Sequence, residues 1–150
     1  MKNKAVIVDV DNTIADIKHR LHYIRNDAGK KDWKTFHSRE ELLKDVPFTE
    51  VIECVNLLSQ KYPILIVTGR TYETLDTTKE WLDTQGVTYE EVYLRTQNDY
   101  RDDDIIKEEI LHQIRAEGYD PFLVFDDRDR VVAMWRRNGL RCFQVNPGTF

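Results

Sequence analysis

Five short apolar runs, separated by segments with helical periodicity, constrain this chain more than any other feature. The runs are Ala5-Val6-Ile7-Val8, Pro63-Ile64-Leu65-Ile66-Val67-Thr68-Gly69, Val92-Tyr93-Leu94, Phe122-Leu123-Val124-Phe125 and Cys142-Phe143-Gln144-Val145. Their length and flanking turn residues read as strands. Between them, 49–61 carries Val51, Ile52, Val55 and Leu58 on one face, and 71–85 carries Leu75, Trp81 and Leu82. The segments 103–117 and 130–138 repeat the pattern with Ile106, Ile110, Leu111 and Ile114, then Val131, Val132, Met134 and Trp135. Three of these patterns stop at a glycine, Gly86, Gly118 or Gly139, as a helix C-terminus favours. Regular strand–helix alternation predicts an α/β fold: a Rossmann-like, mostly parallel sheet with helices on both faces.

One segment does not fit the alternation. Residues 16–46 are rich in His, Lys, Arg and aromatics and predict one or two helices around a turn containing Gly29. Inserted directly after the first strand, they would form a small helical cap above the C-terminal edge of the sheet; a plain packing layer is the alternative. Tyr23, Trp33 and Phe36 are expected to pack this cap on the core, with stacking on a nucleobase as the other reading. At 150 residues the whole is expected to be one domain.

Composition narrows the class. A hydrophobic fraction of 41% with 33% charged residues suits a soluble globular protein. No stretch reaches membrane-spanning length and the Met-Lys-Asn-Lys start lacks a cleavage site, so a cytoplasmic location is expected. Cys54 and Cys142 are read as reduced core thiols, and with no Cys-x-x-Cys and scattered His a zinc site is not expected. No catalytic or metal-binding part is expected of His19, His22 or His37. A net charge of −5 argues against a protein that coats nucleic acid but not against one that grips an end. Acidic clusters interleave with Arg95, Arg101, Arg128 and Arg130, which suits a metal-plus-phosphate cleft.

Three strand ends carry chemistry. Asp9-Val10-Asp11-Asn12-Thr13 follows the first, Thr68-Gly69-Arg70 the second and Asp126-Asp127 the fourth. That edge is where parallel α/β sheets bind ligands. Asp9 and Asp11, two apart, would project together and need a cation or a shared proton. The all-oxygen donor set of Asp9 and Asp11 suits Mg²⁺. Lys107 and the metal would neutralise a phosphoryl group, letting Asp9 reach phosphorus. Thr68 and nearby backbone N–H groups would bind equatorial oxygens at a helix N-terminus. Asp11 would protonate the leaving oxygen and then activate water. Bland readings stand beside these: a strand-to-loop exit for Asp9/Asp11, helix caps for Thr68 and Asp127, and a solvated face or surface ion pairs for Lys107, Arg70 and Asp103.

The order strand-DxDxT, strand-Thr, downstream Lys, strand-DD resembles the haloacid dehalogenase superfamily of phosphohydrolases. Residues 101–110 and 125–137, with the closing Gln144-Val145-Asn146-Pro147-Gly148-Thr149-Phe150, more narrowly resemble the 3′-phosphatase domain of bacteriophage-type polynucleotide kinase. The resemblance implies Asp9 as nucleophile, Asp11 as general acid/base, and Asp126 and Asp127 completing the Mg²⁺ site. It implies Thr68, Arg70 and Lys107 on the phosphate, Arg20 as a further contact, and Asp103 orienting Lys107. The implied substrate is a 3′-phosphorylated nucleic acid end, with 2′,3′-cyclic phosphate as a companion; a nucleotide is the alternative, and a separate kinase or ligase the implied partner. No Gly-x-x-x-x-Gly-Lys-[Ser/Thr] occurs, so no kinase activity is expected. Asn12 stands where the first motif usually has Gly; Asn tolerates the positive φ such a turn needs.

Overall fold

The computed structural model describes residues 3–25 and 29–149. Five strands form one parallel sheet: β1 (Asn3–Val8), β4 (Ile64–Thr71), β5 (Glu91–Arg95), β6 (Tyr119–Asp126) and β7 (Arg141–Gln144), in the order β5-β4-β1-β6-β7. All five match the apolar runs. Chain direction across the sheet reverses at β1, which lies between β4 and β6, and such switch points open a crevice at the strand C-termini.

Period-two alternation divides the core into two layers. Ala5 and Ile7 of β1, with Leu65 and Val67 of β4, pack with residues of α5 (Asp103–Ala116) and α6 (Asp129–Arg137). Val6, Val8, Ile64 and Ile66 point the other way, toward α3 (Thr49–Ser59) and α4 (Leu75–Thr84), where Ile52, Val55, Trp81 and Leu82 are buried. β1 is therefore apolar on both faces, as a strand covered by helices must be. Trp81 and Trp135 are both fully buried.

Two boundaries differ from expectation. β4 continues through Thr71 and a 3-10 turn, Tyr72–Thr74, precedes α4, so the helix begins four residues later than the periodicity of 71–85 suggests. β-branched Val67, Thr68 and Thr71 favour the extended backbone there. Cys54 is exposed, not a core thiol, whereas Cys142 is buried; Cys54 lies on α3 off the face carrying Ile52 and Val55.

The segment after β1 is tied off by a two-residue antiparallel pair, β2 (Ala15–Asp16) with β3 (Val46–Pro47). Between them lie a 3-10 helix (Lys18–Tyr23), α1 (Trp33–Phe36) and α2 (Arg39–Leu43). Asp32 caps α1 by accepting from Thr35 N–H at 3.0 Å, and Ser38 caps α2 by accepting from Glu41 N–H. The insertion is thus more broken up than one or two helices. The turn expected around Gly29 falls partly, and the Met1-Lys2 start and Phe150 fall wholly, outside the described residues. Leu42 is fully buried, and the Trp81 indole N–H donates to the Asp45 carbonyl at 2.9 Å, so the insertion is seated on α4. Among the described residues no helix is long and apolar enough to cross a membrane.

Candidate active site

The chain leaves β1 at Val8 and turns sharply through Asn12, whose φ is 61°. That is the left-handed conformation a Gly-replacing Asn was expected to supply. The turn places Asp9, buried at the end of the central strand, against Thr13, which donates to its carboxylate at 3.0 Å. From the neighbouring β6 come Asp126, its last residue, and Asp127. Carboxylate oxygens of Asp9, Asp126 and Asp127 lie within 4.8 Å of one another, and all three residues are buried. Lys107, from the second turn of α5, is 2% exposed and donates to Asp9 and to Asp126, each at 2.9 Å. A solvated helix face is therefore not its environment.

These groups shift one another. Burial pushes the Asp9 carboxyl well above the usual carboxylate range, the charge of Asp126 adds to this, and Lys107 only partly offsets it. Asp127 is raised by burial and by Asp126. Burial alone would drive the Lys107 ammonium toward neutrality, but Asp126 and Asp9 outweigh it and hold the group charged. Three buried carboxylates thus face one ammonium, so their full ionisation would leave two negative charges in excess of Lys107. A divalent cation with oxygen preference fits that deficit and that donor set.

Supporting bonds fix the cluster. The Trp135 indole N–H donates to Asp126 at 3.0 Å, and Asn12 donates to Asp127 at 3.0 Å. Asn146 donates to the Asn12 carbonyl at 2.7 Å, drawing the closing segment over the turn. Asp127 does not cap α6; Arg128 occupies that position. Gly148 is there for space: a Cβ would lie 1.9 Å from the Asp127 carbonyl oxygen and 2.6 Å from the Arg128 Cα. Because backbone cannot yield as a flexible side chain can, Gly148→Ala is expected to displace Asp127. The check is divalent-ion affinity measured calorimetrically, which should fall while β1 and β4 keep their hydrogen-exchange protection; unchanged affinity would contradict it.

Asp11 stands apart. Its carboxylate is not among the three that converge but is gripped by Arg20 at 2.8 Å and Arg70 at 2.6 Å, so its side chain does not join the expected metal set. Although burial opposes ionisation, Arg70 and Arg20 hold Asp11 well below the usual carboxylate range. Both arginines are fully buried, which removes the surface-pair reading for Arg70 and brings Arg20, from the insertion, into the site. Behind them sits Asp45, a buried carboxylate that sequence reasoning missed. It accepts two bonds from Arg20, both at 2.8 Å, one from Arg70 at 3.1 Å, and one contact of 2.8 Å from the His19 ring. Thr78 accepts from Arg70 at 3.1 Å.

Two more residues lie differently from expectation. Thr68 is buried within β4 and its hydroxyl accepts from Arg70 N–H at 3.2 Å; with α4 starting at Leu75, it is no helix cap. Asp103 makes no hydrogen bond to Lys107. It pairs instead with Arg95 and, at 2.7 Å, with Arg128, and these neighbours with Lys107 lower its carboxyl against the effect of burial. One turn of helix places Asp103 near Lys107, but the guanidinium forks reach it first. Its carboxylate fills the space beside Gly69, where a Cβ would come 2.6 Å from Asp103 Oδ1.

Against the model of the polynucleotide kinase PNKP phosphatase domain, residues 3–150 match. The chain belongs to that family. A chain of the Pnkp1/Rnl/Hen1 RNA repair complex is 31% identical, superposes with a TM-score of 0.78, and is matched over 99% of this chain and 44% of its own length. A bifunctional polynucleotide kinase/RNA ligase of Autographa californica nuclear polyhedrosis virus is 26% identical over 136 residues, 89% of this chain and 18% of the viral protein. This PNKP-type phosphatase domain therefore spans less than half the length of either relative. A haloacid dehalogenase-like hydrolase from Streptococcus pneumoniae, 13% identical, shares the fold with a TM-score of 0.68 over 94% of this chain and 83% of its own.

Proposed function

We propose that this chain is a Mg²⁺-dependent phosphoric monoester hydrolase, a single domain with the 16–46 segment as cap. In this reading it removes terminal 3′-phosphate, and 2′,3′-cyclic phosphate as a companion, from nucleic acid ends. The observation that carries the reading is the meeting of Asp9, Lys107 and Asp126 at the switch point, in a chain matched throughout by the PNKP phosphatase model. Both relatives are named for RNA chemistry, which favours RNA over DNA, and their names favour a separate kinase or ligase acting on the same ends.

Asp9 attacks phosphorus, releasing the ribose 3′ oxygen and forming an aspartyl-phosphate; water then attacks that phosphorus and frees Asp9. Lys107 faces the nucleophile and offsets the charge of the approaching phosphate. Asp9, Asp126 and Asp127 would hold Mg²⁺, which supplies charge neutralisation on the phosphoryl oxygens. Thr68 contributes a hydroxyl beside the same phosphate. Arg20 and Arg70, now on Asp11, are the donors best placed for the phosphate oxygens. An incoming phosphate would take some of those bonds and release the Asp11 carboxylate to exchange a proton with the leaving oxygen, then with water.

The reading is tested with one RNA oligonucleotide phosphorylated at its 3′ end or its 5′ end, with Mg²⁺ or with EDTA. Release from the 3′ end alone, lost in EDTA and restored by Mg²⁺, is expected. Equal release from 5′ ends, or turnover indifferent to EDTA, would overturn it. A nucleotidase on the same scaffold is the second reading, favoured by the acidic net charge of −5.

A further inference from the structure

Resting on the 3′-end reading, we propose that 30–34, Lys30-Lys31-Asp32-Trp33-Lys34, is the docking platform for the terminal nucleotides of the substrate strand. In this assignment Trp33 stacks on the base next to the terminal one, which a mononucleotide lacks, and the lysines take the backbone phosphates. The expected core packing of the cap aromatics holds for only two of the three. Phe36 is buried and Tyr23 packs against the core, but Trp33 keeps 48% of its surface exposed. Its exposed part offers a flat π face of the kind on which bases of a single strand stack.

Charge points to what covers it. In a chain of net −5, three of these five residues are lysine, and Lys30, Lys31 and Lys34 are all exposed. Asp32 accepts from the Thr35 N–H, and that bond, with the nearby Lys34 charge, lowers its carboxyl. Lys31 Nζ lies 5.8 Å from the centre of the Trp33 ring. Cations around an open aromatic face are what sequence-tolerant single-strand binding uses, since every base has a π face and every linkage a phosphate.

Position supplies the third argument. Trp33 packs edge-on against Phe36 at 5.6 Å and lies nearly parallel to the His37 ring at 5.8 Å. The Arg20 guanidinium sits over Phe36 at 4.4 Å and donates to the Phe36 carbonyl at 3.3 Å, and its other end holds Asp11. One aromatic ring, Phe36, therefore lies between Trp33 and the arginine that grips the site. The more exposed Tyr100, 89%, has beside it cations already engaged by carboxylates, Arg101 by Asp99 and Glu109 and Arg130 by Asp102.

The test compares kcat/KM for a 3′-phosphorylated oligonucleotide with that for the nucleoside 3′-monophosphate. Trp33→Ala is expected to lower the oligonucleotide value about ten-fold through KM, leave the mononucleotide value unchanged, and be largely rescued by Trp33→Phe. The triple Lys→Ala variant at 30, 31 and 34 should flatten the salt dependence of oligonucleotide KM. An oligonucleotide preference that survives Trp33→Ala would overturn the platform and leave the 3′-end reading standing. Equal loss on both substrates, with no rescue by Phe, would make Trp33 structural and also overturn it. A wild-type enzyme with no oligonucleotide preference would overturn the 3′-end reading itself.

Discussion

Asp9→Asn is expected to abolish phosphate release, with kcat falling on the order of 10⁴-fold or more, because the amide cannot attack phosphorus. The fold should survive the change. Burial and the neighbouring Asp126 push the Asp9 carboxyl upward, so its ionised form is disfavoured in the folded chain. A carboxyl raised in the native state lowers stability at pH values above its native titration, and a neutral isostere removes that term. Unfolding temperature should therefore stay level or rise while turnover disappears. Full activity in Asp9→Asn would refute a covalent route through this residue; a collapse in melting temperature would place its main part in holding Lys107.

The second large effect is expected at Asp45. Asp45→Ala leaves two fully buried guanidinium groups, Arg20 and Arg70, sharing Asp11 as their one remaining carboxylate among the described residues. Removing one partner from a buried charge network costs about 3–5 kcal/mol, because the remaining charges cannot return to water. For a chain of this size that is a fall in melting temperature on the order of 10 °C. Asp45→Asn, which keeps an oxygen acceptor at the same place, should lose less. In both variants kcat/KM should fall, since Arg20 and Arg70 lose the brace that aims them at Asp11. An Asp45→Ala protein that melts with the wild type would show that Asp11 alone organises the pair.

These two residues mark how far the amino-acid sequence could be read. Asp9 was legible because it ends an apolar run and opens a spaced motif. Asp126-Asp127 was legible for the same reason, and the alternation of runs and helical patterns led to the parallel sheet that brings both ends together. The positive φ at Asn12 could likewise be anticipated from what its side chain tolerates. Asp45 carries no such signal. It sits between Lys44 and Val46, 25 residues from its main partner Arg20, and only the docking of the insertion on α4 buries it.

Three side chains have partners that the sequence does not foretell. Asp103 lies one turn before Lys107 and feels its charge, yet Arg95 and Arg128 come from elsewhere in the fold and take its hydrogen bonds. Asp11 was grouped with Asp9 by alternation along a strand, but β1 stops at Val8 and the turn sends the two side chains to different partners. For Thr68 the alternative of a plain helix cap falls away, because the strand continues past it. Local periodicity does not register where a strand hands over to a turn, nor which distant guanidinium arrives first.

The most direct measurement of the central claim is Mg²⁺-supported phosphate release from a matched pair, a 3′-phosphorylated RNA oligonucleotide and the corresponding nucleoside 3′-monophosphate. A strong preference for the oligonucleotide is expected. Equal or better turnover of the mononucleotide would contradict an end-processing role and move the chain to the nucleotidases, with Asp9, Lys107 and Asp126 still at the chemistry.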